Sequence, residues 1–259
     1  MFVRDATDDD WCDIARIADE HGLQGADSVR NPRYCELLRD HGRLLITEDA
    51  GQVVGFAGMV RIGNTAMVSD LFVAADHQRH GVGTTLLSQL VGGEQTLMTF
   101  SSSHPGALAA YRRLGLQPGW ALCYLQGPIV RQRCSLNATR VDPHAFVIDR
   151  PELLRLFDSV ACVHINSDST RVGSAIVADP EGEPVLHRLV LDDRHDEGML
   201  AVMNILPAGA MLRATVPDWS SAYRLLRGLG FAETDHDLYM GTKSNLVPRS
   251  LAAVNPGLA

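Results

Sequence analysis

Apolar and polar positions along this chain switch repeatedly between two periods. Val3 to Ala6 alternates as a short strand. Trp11, Ile14, Ile17 and Ala18 then recur at helical spacing, and Thr7-Asp8-Asp9-Asp10 ahead of them has the Thr-x-x-acid pattern of a capped helix start. Gly22 to Asn31 is polar and reads as a loop. Pro32 suits the first turn of a second helix, which carries Leu37 and Leu38 and ends near Gly42. Arg43 to Glu48, Val53 to Arg61 and Ala66 to Val73 are strand-like runs joined by turns at Ala50-Gly51 and Gly63-Asn64, an antiparallel meander. A helix over Thr84–Val91, a strand over Thr96–Phe100, a helix over Pro105–Leu114 and a strand over Trp120–Leu125 complete the first half.

The junction after the third strand of the meander stands out. Gln78-Arg79-His80-Gly81-Val82-Gly83-Thr84 joins a strand to a helix through two glycines. The first N–H groups of a helix have no intrahelical partner and sit at the positive end of its dipole, so such a junction suits a phosphate or pyrophosphate. On the glycines alone, a tight turn that binds nothing is an equal reading. The Gly-Lys-Ser/Thr ending of a P-loop and the Gly-x-Gly-x-x-Gly dinucleotide fingerprint are both absent.

The spacing Gln/Arg-x-x-Gly-x-Gly/Ala after an apolar strand ending in Val resembles the acetyl-CoA loop of the GCN5-related N-acetyltransferases. So does the order β-α-α-β-β-β-α-β-α-β. Ala107-x-x-x-Tyr111-x-x-x-Gly115-Leu116 is similar to the same family's Ala-x-x-x-Tyr-x-x-x-Gly-Phe segment, with His104 where the family often has Asn. The resemblance implies that Leu71, Phe72, Val73, Gln78, Arg79, His80, Gly81, Val82, Gly83, Thr84, His104, Ala107 and Tyr111 hold acetyl-CoA. It implies a thioester oxygen held by a backbone N–H at or beside Val73, and Tyr111 as the acid that protonates the leaving thiolate. From the residues alone, the other and lesser reading of Tyr111 is a half-buried core aromatic. Asp70, the only carboxylate on its strand, is the candidate base, with a structural strand residue as its other reading. Glu48 is a weaker candidate. Gly22 to Asn31, with Asp27, is expected to line the acceptor pocket.

The second half repeats the first. At an offset of 118 residues, Gly55-Phe56-Ala57 falls on Gly173-Ser174-Ala175, and Val68 to Val73 falls on Leu186 to Leu191. Further on, at an offset of 115, Leu114-Gly115-Leu116 falls on Leu229-Gly230-Phe231 and Tyr111 on Leu226. Two tandem copies of one fold follow. The expected class is α/β (α+β): two tandem acyl-CoA N-acyltransferase folds, each a mixed, mostly antiparallel sheet flanked by helices. The expected division is an N-acetyltransferase domain over 1–127, a degenerate copy over 128–244 and a loose tail over 245–259. Carried forward unchanged, the 118-residue offset sets Asp196 to Ala201 against Gln78 to Gly83, with Met199 opposite Gly81. Acidic residues there would repel a pyrophosphate, so the second copy is expected to brace the first, shape its cleft or dimerise.

Composition narrows the partners. A formal charge of −8 argues against nucleic-acid binding. No apolar run is long enough to span a membrane, and the first residues do not read as a signal peptide, so a cytoplasmic protein is expected. The five cysteines have no metal or nucleophile pattern, and His187 and His195 fit no common zinc spacing, so no metal is expected. Together with the resemblance, these readings give direct acetyl transfer from acetyl-CoA to an amine of a small molecule or peptide, with a homodimer as a possible assembly. The alternative is an acyl-CoA-binding sensor or interaction protein without turnover.

Overall fold

The computed structural model describes residues 1–23, 28–243 and 246–257; Asp27 lies outside the described residues. The chain forms two compact units, Met1–Pro118 with Met240–Leu246 and Gly257–Ala259, and Gly119–Tyr239 with Val247–Pro256. In the first unit β1 (Phe2–Asp5), β2 (Gly42–Asp49), β3 (Gln52–Ile62) and β4 (Thr65–Val73) pair antiparallel in chain order. β5 (Leu97–Ser101) then joins β4 in parallel. Helices α1 (Trp11–Glu20), α2 (Pro32–His41), α3 (Val82–Val91) and α4 (Pro105–Arg113) complete it.

Each element follows from its local sequence. The capping box expected at Thr7 is present, with the Thr7 N–H donating to Asp10 at 2.8 Å. The box opens a short 3-10 turn, Asp8–Asp10, and α1 follows directly. Arg4 grips the same carboxylate through two 2.7 Å bonds, and this guanidinium holds the Asp10 pKa down at about 2. Asn31 caps α2 by accepting from the Arg33 N–H at 3.1 Å, and Pro32 occupies its first turn. Ile14, Ile17, Leu37, Leu38, Leu86, Leu87 and Leu90 are buried, together with Leu45, Ile46 and Phe56 of the sheet. Each such side chain contributes about 1.5–3 kcal/mol by leaving water.

The second unit contains β6 (Gln117–Pro128), β7 (Asn137–Val141), β8 (Val160–Ser167), β9 (Thr170–Ala178), β10 (Val185–Leu191), α5 (His195–Asn204), β11 (Met211–Pro217), α6 (Ser221–Gly228), β12 (Ala232–Gly241) and β13 (Leu251–Val254). Its strands lie in the order β12-β6-β11-β10-β9-β8-β7, with β13 beside β10. Two 3-10 turns, Pro143–Ala145 and Pro151–Leu156, stand where the first unit has α1 and α2. The repeat shows in the backbone. α4 and α6 end in matching turns, with Gly115 and Gly230 at φ 84° and 88° and with Leu116 and Phe231 donating to the carbonyls of Tyr111 and Leu226.

Two features lie across the division expected from the sequence. Gly127-Pro128 falls within β6, whose residues from Gly119 onward belong to the second unit, while Met240–Leu246 belongs to the first. There the Thr242 N–H donates to the Leu97 carbonyl of β5 at 2.9 Å. Within the stretch expected to be a loose tail, Leu251–Val254 is a buried strand.

Candidate active site

Eight residues, 74–81, connect the end of β4 to the start of α3. The loop is tied to the strand it leaves. The Val73 carbonyl accepts from the Gln78 side-chain amide at 3.2 Å and meets His21 Nε2 at 2.9 Å, so that nitrogen carries the proton of the contact. The His21 ring also packs on Phe72, 5.1 Å between centroids. Arg79 and Gly81 both adopt positive φ, 66° and 83°, and turn the chain into α3. Gly81 is the cap residue and supplies no side-chain acceptor. The N–H groups of Val82, Gly83 and Thr84 therefore have neither an intrahelical nor a capping partner. A Cβ on Gly81 would meet nothing within 4 Å, so the space before the helix is open. Gln78, Arg79, His80, Gly81 and Thr84 are exposed, while Val82 is buried and anchors the turn. No acidic residue occupies the first turn of α3. The arrangement suits an anion, backed by a helix dipole.

The strand leading to this loop is broken in a useful way. Gly58 pairs with Asp70 and Met59 with Val68, so Ser69 is an extra residue, a β-bulge. The parallel pairing with β5 ends just before it, at Val68↔Thr99, where the Thr99 hydroxyl donates to the Val68 carbonyl at 2.9 Å. Beyond that point β4 runs on through Leu71 and Phe72 to Val73 outside the β4–β5 register. Along that stretch β4 leads to the loop without a β5 partner.

Asp70 sits beside the bulge and is 7% exposed. Its Oδ2 accepts from the Tyr34 hydroxyl at 2.8 Å. Burial raises the Asp70 pKa, and the hydrogen bond from the Tyr34 hydroxyl partly opposes that rise. The close fit depends on Gly58: a Cβ there would lie 2.7 Å from Leu38 and 2.8 Å from Ser69 Oγ. Tyr34 was not singled out from the sequence, since its spacing to Leu37 and Leu38 marks it only as one more apolar-face residue of α2. Beside this pair, burial pushes the Cys35 thiol up to about 12, which leaves it inert as a nucleophile. Glu48 is engaged with Arg4.

α4 follows β5, the other side of the split. Its cap is His104, whose Nδ1 accepts from the Gly106 N–H at 3.2 Å. That bond gives His104 a structural duty and leaves its other ring nitrogen on an exposed residue. Ala107 is half-buried and Tyr111 is 6% exposed on the same helix. Among the described residues no group of three or more His, Cys, Asp or Glu is placed to hold a metal ion. His187 stacks on Phe157, 4.3 Å between centroids, and His195 contacts Ser220 Oγ and the Leu191 carbonyl.

The second unit builds the equivalent junction differently. Only three residues, 192–194, connect β10 to α5. The helix starts therefore match Gly81 with Arg194 and Gly83 with Asp196, so the connection is five residues shorter and the constant offset that sets Met199 against Gly81 does not hold here. The Asp196 N–H donates to Ser221 Oγ at 3.2 Å, and the Glu197 carboxylate accepts from the Ser135 N–H and hydroxyl. One N–H at the start of α5 is thus engaged by Ser221, and two carboxylates stand in the first turn of the helix. A Cβ on Gly198 would lie 2.8 Å from Leu191, so the helix is packed tightly onto its strand.

Residues 40–118 match the family model described as Acetyltransferase (GNAT) domain. No curated protein sequence matches the chain. Among solved structures, a Pyrococcus horikoshii protein provisionally assigned as an acetyltransferase superposes with a TM-score of 0.76 at 16% identity, covering 100% of this chain and 95% of its own. A tandem GNAT protein of the clavulanic acid biosynthesis pathway gives 0.62 at 16% identity, covering 95% and 98%. A GCN5-related N-acetyltransferase of Anabaena variabilis gives 0.62 at 12% identity, covering 99% and 84%. At these identities the structures speak for the fold, while the family model speaks for the segment that carries the bulged strand and the glycine loop. The first unit carries a segment that matches the acetyltransferase (GNAT) domain model, in a chain that has the tandem GNAT fold.

Proposed function

We propose that the first unit transfers an acetyl group from acetyl-CoA directly to a primary amine of a small molecule or peptide. One coincidence carries the reading: the split beyond Val68↔Thr99 leads straight to the uncapped N-terminus of α3. Acetyl-CoA has a pyrophosphate at one end of an arm that carries two amides and a thioester at the other. The N–H groups of residues 79–84 suit the pyrophosphate, and the open edge of Leu71 to Val73 suits the amides. The thioester then lies along the same edge, where a backbone N–H at or beside Val73 stabilises the developing oxyanion.

In the transfer step the amine nitrogen attacks the thioester carbonyl carbon. The C–S bond breaks, the thiolate takes a proton from Tyr111, and the ammonium formed on nitrogen loses its proton to Asp70, directly or through a water. Burial of Asp70 moves its pKa toward working pH, which suits a base. The same burial is the observation that favours the alternative, a binding protein without turnover, because a protonated carboxyl accepts no proton. Release of CoA thiol in the presence of a panel of amines decides between them. Turnover with at least one amine above the hydrolysis background supports transfer. Saturable acetyl-CoA binding with no thiol release from any amine overturns it in favour of the sensor.

A further inference from the structure

The second unit has a split of its own, and it is full. β10 and β11 pair in parallel only at Val185↔Arg213 and Leu186↔Ala214. Beyond that point the register of β10 against β9 shifts between Leu186 and Arg188, so His187 occupies the place that Ser69 holds in β4. β13 enters here. It pairs antiparallel with β10 at Arg188↔Val254, Leu189↔Ala253 and Val190↔Leu251, and it packs against β11 as well. The Leu191 N–H, the last of β10, donates to the Ser250 carbonyl at 2.9 Å.

The fit is that of a bound extended peptide. Leu251, Ala252, Ala253 and Val254 are 0–2% exposed. Two consecutive alanines let the segment pass between the strands, and Asn255 Nδ2 lies 3.4 Å from His187 Nδ1 at the bulge. Main-chain hydrogen bonds hold the segment, with small side chains setting what fits, which is the physics of strand addition.

We propose that the gap between β10 and β11 is a peptide-binding slot whose ligand is this chain's own segment 250–255, seated where a cofactor's amide arm would otherwise lie. The ligand class is an extended peptide with small apolar side chains at the positions of Ala252 and Ala253. The slot's chemistry has changed from cofactor to backbone, and this holds whether or not the first unit catalyses acetyl transfer.

A protease site inserted after Lys243 in the full chain tests the proposal. After cleavage the fragment that carries 247–259 should stay with the protein through size exclusion. A labelled peptide of residues 248–257 should exchange into the slot, saturating at one per chain. The same peptide with Ala253→Pro, which removes an N–H and adds a ring, should bind at least about ten-fold more weakly, and excess acetyl-CoA should not displace the label. Loss of the fragment from a chain that stays folded overturns the proposal, as does equal binding by the proline peptide. On the uncut protein, amide hydrogen exchange gives an independent reading. The 251–254 amides should be protected to the level of β10, and exchange much faster than β10 would also overturn it.

Discussion

The start of α3 and the start of α5 are one structural position built twice. At α3, eight connecting residues bend through Arg79 and Gly81 and leave a helix N-terminus with no cap and no acid in its first turn. At α5, three residues suffice, Ser221 accepts from the Asp196 N–H, and Asp196 and Glu197 put negative charge in the first turn. Behind each helix the neighbouring strands part after a short parallel pairing. In the first unit the open edge runs on to Val73; in the second it is covered by β13. On the proposed reading an anion site is made by leaving polar groups without partners, which costs stability, and a copy that binds no cofactor can turn such groups to its own side chains and backbone.

The most damaging way to erase the difference is Gly81→Asp. It places a side chain at φ 83° and a carboxylate where the pyrophosphate belongs. Repulsion of about 4 kcal/mol at an effective dielectric near 20 corresponds to a loss of about 1,000-fold in acetyl-CoA affinity. Calorimetry reads this directly, and a change under ten-fold would overturn the loop assignment. Tyr111→Phe should lower kcat by about 100-fold at unchanged acetyl-CoA affinity. Full turnover in that variant would remove Tyr111 as the acid.

Asp70 supplies a pH test. Its raised pKa predicts that kcat/KM falls as pH drops through that value, because the base becomes protonated. The Tyr34 hydroxyl lowers the Asp70 pKa, so Tyr34→Phe should move the acid limb of the profile to higher pH. An unmoved limb would mean that a different group titrates. For stability the sign is opposite to that of an ion-paired acid. The folded state holds the Asp70 proton more tightly than the unfolded chain, so stability is full below the unfolded pKa and declines as pH rises through the folded one. Asp70→Asn should flatten that decline in thermal melts. The smallest effect is expected in the second unit. Asp196→Asn with Glu197→Gln should cost about 1 kcal/mol of stability and create no new acetyl-CoA site, because β13 still fills the gap. A second binding site in that variant would show that charge alone had closed it.

What was readable in the sequence was local. The capped start at Thr7, the meander turns, the glycine junction and the helix end at Gly115 each announce themselves within a few residues. The matching end at Gly230 made the repeat legible. What was hidden depends on distance along the chain. Tyr34 meets Asp70 across 36 residues, and nothing in α2 distinguishes it from a core aromatic. Ala252 and Ala253 carry no period because a strand that slides between two others is buried on all sides. The five-residue shortening before α5 was masked because the strands on either side of it keep their own register. The first unit's acquisition of Met240–Leu246, with the second unit beginning at Gly119, follows from strand pairing, which hydrophobic pattern does not encode.

The stoichiometry of acetyl-CoA binding to the full chain tests the central claim most directly. Calorimetric titration of wild type and Gly81→Asp should give one site per chain in the first and none in the second. Two sites in wild type, or one site that survives Gly81→Asp, would contradict the contrast between the two junctions.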